Sequence, residues 1–428
     1  MVCVNTVSEI AEIIKDQEKA MRDLLRGEKI IQREYILNKN AIQLGVTNII
    51  KGVRRCSKSV FALMLSMNEP IDYLNFEDER LNLKAEELNR VVEAIYTIKG
   101  NVNLLVFDEI QEVLGWEKFV SRLVNSKKVI LTGSSARMLS SEFASRLTGR
   151  RIDHILFPFS FREFLDYQGF HPENTQSLST LERSQVIAQL ENYLIIGGFP
   201  LALKLGKPFL VSLYGDIIER DVVQRYSLRK TSIIKDLARY LVSNSGQEIS
   251  FNKLRNIFHV KSKHAIQDWV GFLESSYLIF KLERFSHKLK ESIIAPKKVY
   301  AIDTGLVNAI SANASKERLM ETVVAVELQR RKNYHQKDTQ LNYWKSHAQE
   351  EVDFVVRRGE DVVELIQVTY ASIERDVRER EVKNLVKASH DLKCNNLKVI
   401  TWDYRQTMEY SEKRIEFIPL WEWLLQIA

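Results

Sequence analysis

Cysteine is scarce in this chain. Only Cys3, Cys56 and Cys394 occur among 428 residues, far apart and in no CxxC pair, so neither a disulfide framework nor a zinc knuckle is readable. The eight histidines do not complete a metal-ligand spacing with them. A reducing, cytoplasmic compartment fits this usage. Long apolar runs are also missing: none approaches the ~20 residues that cross a bilayer, so no membrane role is expected. The stretch from Val7 to Lys15 is amphipathic and acidic, unlike the basic start and unbroken apolar core of a secretory signal. Charge is not lopsided, with 62 basic against 56 acidic residues and a net +6. That balance permits contact with nucleic acid without announcing it. No internal repeat and no low-complexity linker is found.

What is present is ordinary globular material, 45% hydrophobic, in a chain whose length suggests two or three domains. Residues 7–27 read as a surface helix. Between residues 47 and 159, short apolar runs alternate with helical stretches: Thr47–Lys51, Ile71–Phe76, Asn103–Phe107, Lys128–Leu131 and Ile152–Phe157. This alternation predicts an α/β fold with a parallel sheet covered on both faces. Residues 160–245 read as helical, with a break at Gly197-Gly198-Phe199-Pro200. Residues 246–295 read as helix, turn, helix and hairpin, the winged-helix order. From Lys297 strands return, at Val299–Ile302, Leu341–Lys345, Val352–Arg357, Val362–Thr369 and Leu397–Trp402, with helices near 316–332 and 376–389.

The first chemical motif is Gly52, Val53, Arg54, Arg55, Cys56, Ser57, Lys58, Ser59, set between a strand and a helix. It matches the phosphate-binding pattern GxxxxGK[ST] except at Ser57, where glycine is expected. Loop N–H groups cradle phosphate oxygens, Lys58 reaches the β- and γ-phosphates, and the Ser59 hydroxyl ligates Mg²⁺. The alternative is an ordinary basic strand-to-helix turn. The second motif is the apolar run Leu104–Phe107 ending in Asp108 and Glu109. Asp108 is the expected Mg²⁺ partner, and Glu109 the residue that orients the attacking water. A third strand ends in Thr132, Gly133, Ser134 and Ser135, where Thr132 or Ser134 is placed to sense the γ-phosphate or to act as a cap.

These segments, with Asn75–Asp78, Gln111, Trp116, Leu147–Arg150, Pro158–Phe164, Gly197–Pro200 and Tyr300–Gly305, resemble archaeal and bacterial AAA-type P-loop ATPases that carry a winged helix and a C-terminal PD-(D/E)XK nuclease-like domain. The resemblance implies ATP as the nucleotide, a sheet of order 5-1-4-3-2 and a helical lid. The expected division is an ATPase core over 1–160, a lid over 161–245, a winged helix over 246–295 and a restriction-endonuclease-like α/β domain over 296–428. Arg146 and Arg150 stand where related ATPases place an arginine that reaches a neighbouring subunit's γ-phosphate, in a homo-oligomer. A salt bridge or helix cap is the plainer reading.

Lys253, Arg255, Lys261, Lys263 and His264 surround the proposed recognition helix, suited to nonspecific DNA phosphates. In the C-terminal domain Glu321 and Asp353 match the family's metal-binding acids. Gln367 and Thr369 stand where its Glu-x-Lys pair belongs, so the centre reads as degenerate and DNA cleavage is not expected. The functional expectation is an ATP-binding protein, an Mg²⁺-dependent ATPase, acting as a switch on a protein or DNA partner. The competing readings are a DNA nuclease and a nucleotide-binding scaffold without turnover.

Overall fold

The computed structural model describes residues 5–35, 42–66, 71–133, 149–171 and 178–426. The chain divides into two compact units, residues 1–156 and 157–428. Among the described residues no helix is long and apolar enough to cross a membrane.

The first unit opens with helix Val7–Gly27, started by a capping box: Thr6 Oγ1 accepts from the Glu9 amide, and the Glu9 carboxylate accepts from the Thr6 amide. Its apolar stripe buries Ile10, Ala11, Ile13 and Ile14. Five parallel strands follow: β1 (Thr47–Lys51), β2 (Ile71–Asn75), β3 (Leu104–Asp108), β4 (Lys128–Gly133) and β5 (Arg151–Ile155). Their order is β2-β3-β4-β1-β5, which is the expected 5-1-4-3-2 read from the opposite edge. Every residue of β1 and β3 is buried, as central parallel strands require. Ile49, Leu74, Leu105, Phe107 and Leu131 share one core with apolar residues of helices Val7–Gly27, Leu88–Lys99 and Glu117–Leu123. The β-carboxyl ends of β1, β3 and β4 are thereby held in register, Asp108 opposite Thr132 and Lys51 opposite Gly133.

The second unit begins with helices Phe161–Gln168, Thr180–Ile196, Ala202–Leu205 and Lys207–Asp216, the π-helix Ile217–Gln224 and helix Thr231–Ser243. The Gly197–Pro200 break has a structural cause. Gly197 has φ +78°, and a Cβ there would lie 2.0 Å from Asp303 Oδ1. Asp303 accepts from the Gly198 amide at 2.7 Å and caps helix Thr304–Ile310 through the Leu306 amide at 3.3 Å. Phe159 and Gly198 complete the junction with a 2.7 Å backbone bond. Two of the motifs quoted above therefore meet at one buried carboxylate and a third joins through Gly198; burial pushes that carboxylate up to about 6 against the opposing amide hydrogen bonds.

The remaining strands are β6 (Gln247–Ile249), β7 (Ile279–Arg284), β8 (Lys297–Ala301), β9 (Thr339–Lys345), β10 (Glu351–Arg358), β11 (Asp361–Val368), β12 (Leu397–Thr401), β13 (Gln406–Tyr410) and β14 (Lys413–Pro419). They form one mixed sheet of order β13-β14-β12-β11-β10-β9-β7-β8-β6. Helices Phe251–Ile257 and Lys263–Ser275 lie between β6 and β7 in sequence, and β7 pairs antiparallel with β8. The join to the later strands is a short parallel pairing of β7 with β9, Glu283 opposite Asn342. Helix Glu379–Leu392 seals one core of this sheet with Val382, Leu385 and Val386, against Val355, Leu365 and Phe417.

Candidate functional site

The loop after β1 turns sharply. Gly52 has φ +150°, and a Cβ there would lie 2.2 Å from the Leu156 carbonyl oxygen, so only glycine fits. Arg55 and Ser57 both take left-handed backbone, with φ +65° and +70°. Ser57 thus adopts the conformation for which the pattern reserves glycine, and retains the loop geometry at a cost in strain. Helix Lys58–Ser66 begins at once, so its first amides point into the loop. The loop is held from beneath by Arg33, whose guanidinium donates to the Cys56 carbonyl at 3.1 Å. Cys56 itself is fully buried, its thiol 3.4 Å from the Leu156 oxygen, with burial raising its pKa. Val53 lines the loop's buried side, and Arg54 pairs with Glu77 at 3.2 Å. Lys58 is 5% exposed and folds back to donate to the Val53 carbonyl at 3.1 Å.

Asp108 closes β3 opposite this loop. Tyr73 donates to its Oδ2 at 2.6 Å and Thr132 donates to its Oδ1. The Ser59 hydroxyl reaches the same carboxylate. Burial, and then the neighbouring Glu109, raise the Asp108 pKa, while the three hydroxyls oppose the rise. Glu109 turns the chain through left-handed backbone at φ +53°, and its carboxylate accepts from the Gln111 amide. Lys58, Ser59, Asp108, Glu109 and Thr132 therefore come together at one end of three adjacent strands. Tyr73 and Gln111 are partners that sequence reasoning did not single out as site residues. Tyr73 lies two residues before Asn75, the β2 residue opposite Asp108, so strand alternation puts it on the same sheet face as Asp108.

Arg150 does not join this cluster within its own chain. Its carbonyl accepts from the Thr47 amide at the start of β1, a strand length, roughly 13 Å, from the loop. Its guanidinium donates to Asn125 Oδ1 at 3.2 Å. Arg146, Ser134 and Ser135 lie outside the described residues.

A second cluster forms in the other unit. Asp353 on β10 has Oδ2 satisfied by the Gln367 amide at 2.7 Å and the Val368 N–H at 3.0 Å. Glu321, on helix Lys316–Tyr334, accepts from Tyr300 OH at 2.6 Å. Thr369 hydrogen-bonds Glu381. Glu364 faces elsewhere and pairs with Lys398 at 2.5 Å. Glu321, Asp353, Gln367 and Thr369 are thus neighbours. A side chain missed in the sequence stands among them: Lys298 Nζ lies 2.9 Å from Glu321 Oε1, 2.6 Å from Glu351 Oε1 and 2.9 Å from Asp353 Oδ1. Burial alone would lower the Lys298 pKa, but Asp353, Glu321 and Glu351 raise it well above the usual range. The signal for Glu351 was available, two residues before Asp353 on the same strand face. Lys298 gave none, because Lys297-Lys298 reads as solvated charge. Glu351, Asp353 and Gln367 open on a cleft of about 950 Å³ edged by Arg378, Arg380 and Lys383. Around the earlier helix pair, Lys253, Lys261, Lys263 and His264 are exposed and Arg255 half-buried.

Residues 46–165 match the AAA domain family, residues 187–317 a domain of unknown function (DUF8612), and residues 316–423 another (DUF4143). The uncharacterized protein MJ1544 of Methanocaldococcus jannaschii is 35% identical over 426 residues, covering 94% of each chain. An uncharacterized protein of Haemophilus influenzae is 29% identical over 423 residues, 93% of this chain and 99% of that one. Among solved structures, the Walker-type ATPase paby2304 of Pyrococcus abyssi aligns with 62% of this chain and 90% of its own at 16% identity and a TM-score of 0.41. Cdc6p from Pyrobaculum aerophilum aligns with 65% and 88% at 10% identity and a TM-score of 0.24. The chain belongs to the same family as the Methanocaldococcus jannaschii protein, and its first unit carries the AAA domain of nucleotide-binding ATPases.

Proposed function

We propose that the chain binds ATP with Mg²⁺ at the loop Gly52–Ser59, hydrolyses it, and passes its nucleotide state to a protein or DNA partner. The observation that carries this reading is the meeting of Lys58, Ser59, Asp108 and Thr132 within a matched AAA domain. Ser59 and Asp108 present a hydroxyl and a carboxylate side by side, a donor set that suits Mg²⁺ holding several of its waters. When bound, the ion would neutralise phosphate charge. Lys58 would exchange its Val53 carbonyl for phosphate oxygens, and Glu109 would orient the attacking water. Arg146 or Arg150 would act on the site of a second copy.

In the same reading, residues 161–245 serve as the lid, 246–295 as a winged helix and 296–428 as a nuclease-like domain that no longer cuts. The exposed bases Lys253, Lys261, Lys263 and His264 support nonspecific, salt-sensitive contact with DNA phosphates. The nuclease reading is weakened by Gln367, whose amide is spent on Asp353, and by Thr369, which brings no charge. The test is release of labelled phosphate from ATP with Mg²⁺, with and without DNA, beside incubation with plasmid DNA. Hydrolysis without nicking fits the proposal. Nicking that disappears in Asp353→Ala would replace it with the nuclease reading. Binding without turnover would leave the scaffold.

A further inference from the structure

We propose that Lys298 is a built-in cation: its ammonium fills the position of a divalent ion among Glu321, Glu351 and Asp353, and removing that charge uncovers a divalent-cation site.

The geometry is that of a filled cage. Lys298 is 3% exposed, and its Nζ stands 2.6–2.9 Å from one oxygen of each of three carboxylates. An ammonium has three N–H donors, and three acceptors match them. The carboxylates come from separate places: Glu321 from helix Lys316–Tyr334, Glu351 and Asp353 from alternate positions of β10, and the lysine from β8. Local chain geometry does not assemble such a group; the fold does. Three carboxylates converging in a buried space repel one another strongly unless a cation lies between them. Lys345 lies 3.3 Å from Glu351 Oε2 but is directed mainly to Glu248 at 2.7 Å, and Arg318 and Arg378 line the pocket that Glu321 and Asp353 share.

Two of the acids have other holds. Gln367 and the Val368 amide donate to the outward oxygen of Asp353, and Tyr300 donates to Glu321 Oε1, the oxygen that Lys298 also meets. Asp353 and Glu321 are therefore held in place by neutral donors as well as by the lysine. The cage should keep its shape when the ammonium is replaced by an uncharged chain. Among the described residues no group of three or more carboxylate, imidazole or thiol side chains is arranged to hold a metal as the chain stands, so the three oxygens must close in once the ammonium is gone. The spacing also selects the ion. Oxygens 2.6–2.9 Å from a central nitrogen need contract little to reach the 2.3–2.6 Å of Ca²⁺, and considerably more to reach the 2.0–2.1 Å of Mg²⁺.

The experiment uses the full chain and Ca²⁺ as the probe, without nucleotide. Lys298→Met keeps the unbranched side chain, one atom shorter, and removes its charge. In chelator it should melt below wild type. Calcium at a hundredfold excess over its dissociation constant should restore roughly 5 °C, whereas wild type should not respond. Calorimetry should give one calcium per Lys298→Met chain and none for Lys298→Met/Asp353→Asn. If Lys298→Met is insoluble, the Lys298→Met/Glu351→Gln variant is read instead. It has one negative charge fewer, so it should fold and still respond weakly to calcium. Wild type that binds calcium in an Asp353-dependent way would overturn the proposal. So would a charge-free variant that melts like wild type in chelator, or one on which calcium has no effect. None of these outcomes depends on the nucleotide reading of the first unit.

Discussion

Replacing Lys58 by methionine tests the nucleotide site most directly, because the structure sets both sides of the balance. A charged donor on a phosphate oxygen contributes about 1.5–3 kcal/mol. Lys58 is not idle beforehand, however: it donates to the Val53 carbonyl at 3.1 Å. Giving that bond up offsets about 1 kcal/mol of the gain. The net loss of affinity expected for Lys58→Met is then about 0.5–2 kcal/mol, or roughly 2- to 30-fold in the dissociation constant of ATP·Mg²⁺. Methionine fills the same buried volume and needs no partner for an ammonium, so stability without nucleotide should change by less than about 1 kcal/mol. Calorimetric titration of ATP, with chemical denaturation alongside, reads both quantities. Unchanged affinity would remove the loop from the binding site. A stability loss as large as the affinity loss would mean that the lysine supports the fold and not the ligand.

Glu109→Gln keeps the shape of a side chain that should orient water but not hold phosphate, so ATP should bind as before while turnover falls; equal hydrolysis by both proteins would exclude Glu109 from the mechanism. Ser57→Gly relieves left-handed backbone at φ +70°, a strain of about 1–2 kcal/mol, against about 0.5–1 kcal/mol of added chain entropy in the unfolded state. Denaturation should show a small net gain, with ATP affinity kept or raised; a clear loss of either would mean that the serine makes a contact of its own. Asp72 is buried on β2, 3.7 Å from Lys99, and burial pushes it up to about 7 against the opposing Tyr73 amide. Because the folded state holds this proton more tightly than the unfolded chain, the associated stability is present in full below about pH 4 and fades up to about pH 7, by an amount of order 2–4 kcal/mol. Asp72→Asn should flatten that part of the pH–stability curve, and an unchanged slope between pH 4 and 7 would assign it to other groups.

The parallel sheet was legible because its evidence is local. Runs such as Leu104–Phe107 are apolar at every position, which only a doubly covered strand requires, and the loop chemistry of Gly52–Ser59 is contiguous in sequence. Even the departure at Ser57 was readable, as a position where the pattern expects glycine. The second unit was harder for a physical reason. The strands β13 and β14 were missed although Arg414–Phe417 alternate exposed and buried; β13 has no buried residue and lies at the edge of the sheet. The pairing of β7 with β9 spans about sixty residues and leaves no mark on either strand's periodicity. The motifs at Gly197–Pro200 and Tyr300–Gly305 were visible as motifs but not as one junction, since Asp303 joins them across a hundred residues.

The two buried carboxylate clusters also differ in how their charge is met, and this bears on what each can do. Asp108 is held by Tyr73, Thr132 and Ser59, all neutral, while Glu109 adds charge of the same sign. Hydrogen bonds from hydroxyls fix its direction without cancelling its charge, so the cost of burial still raises its pKa. A cation arriving there gains that unmet attraction, and its arrival need displace no protein charge. Asp353 has an ammonium 2.9 Å away, belonging to the chain itself. A divalent ion approaching Asp353 would have to expel Lys298 from three carboxylates and leave it without partners in the interior, which costs several kcal/mol. By this difference in pairing, the first cluster leaves a buried carboxylate without a counter-charge, as the proposed ATP·Mg²⁺ site requires, and the second has its own.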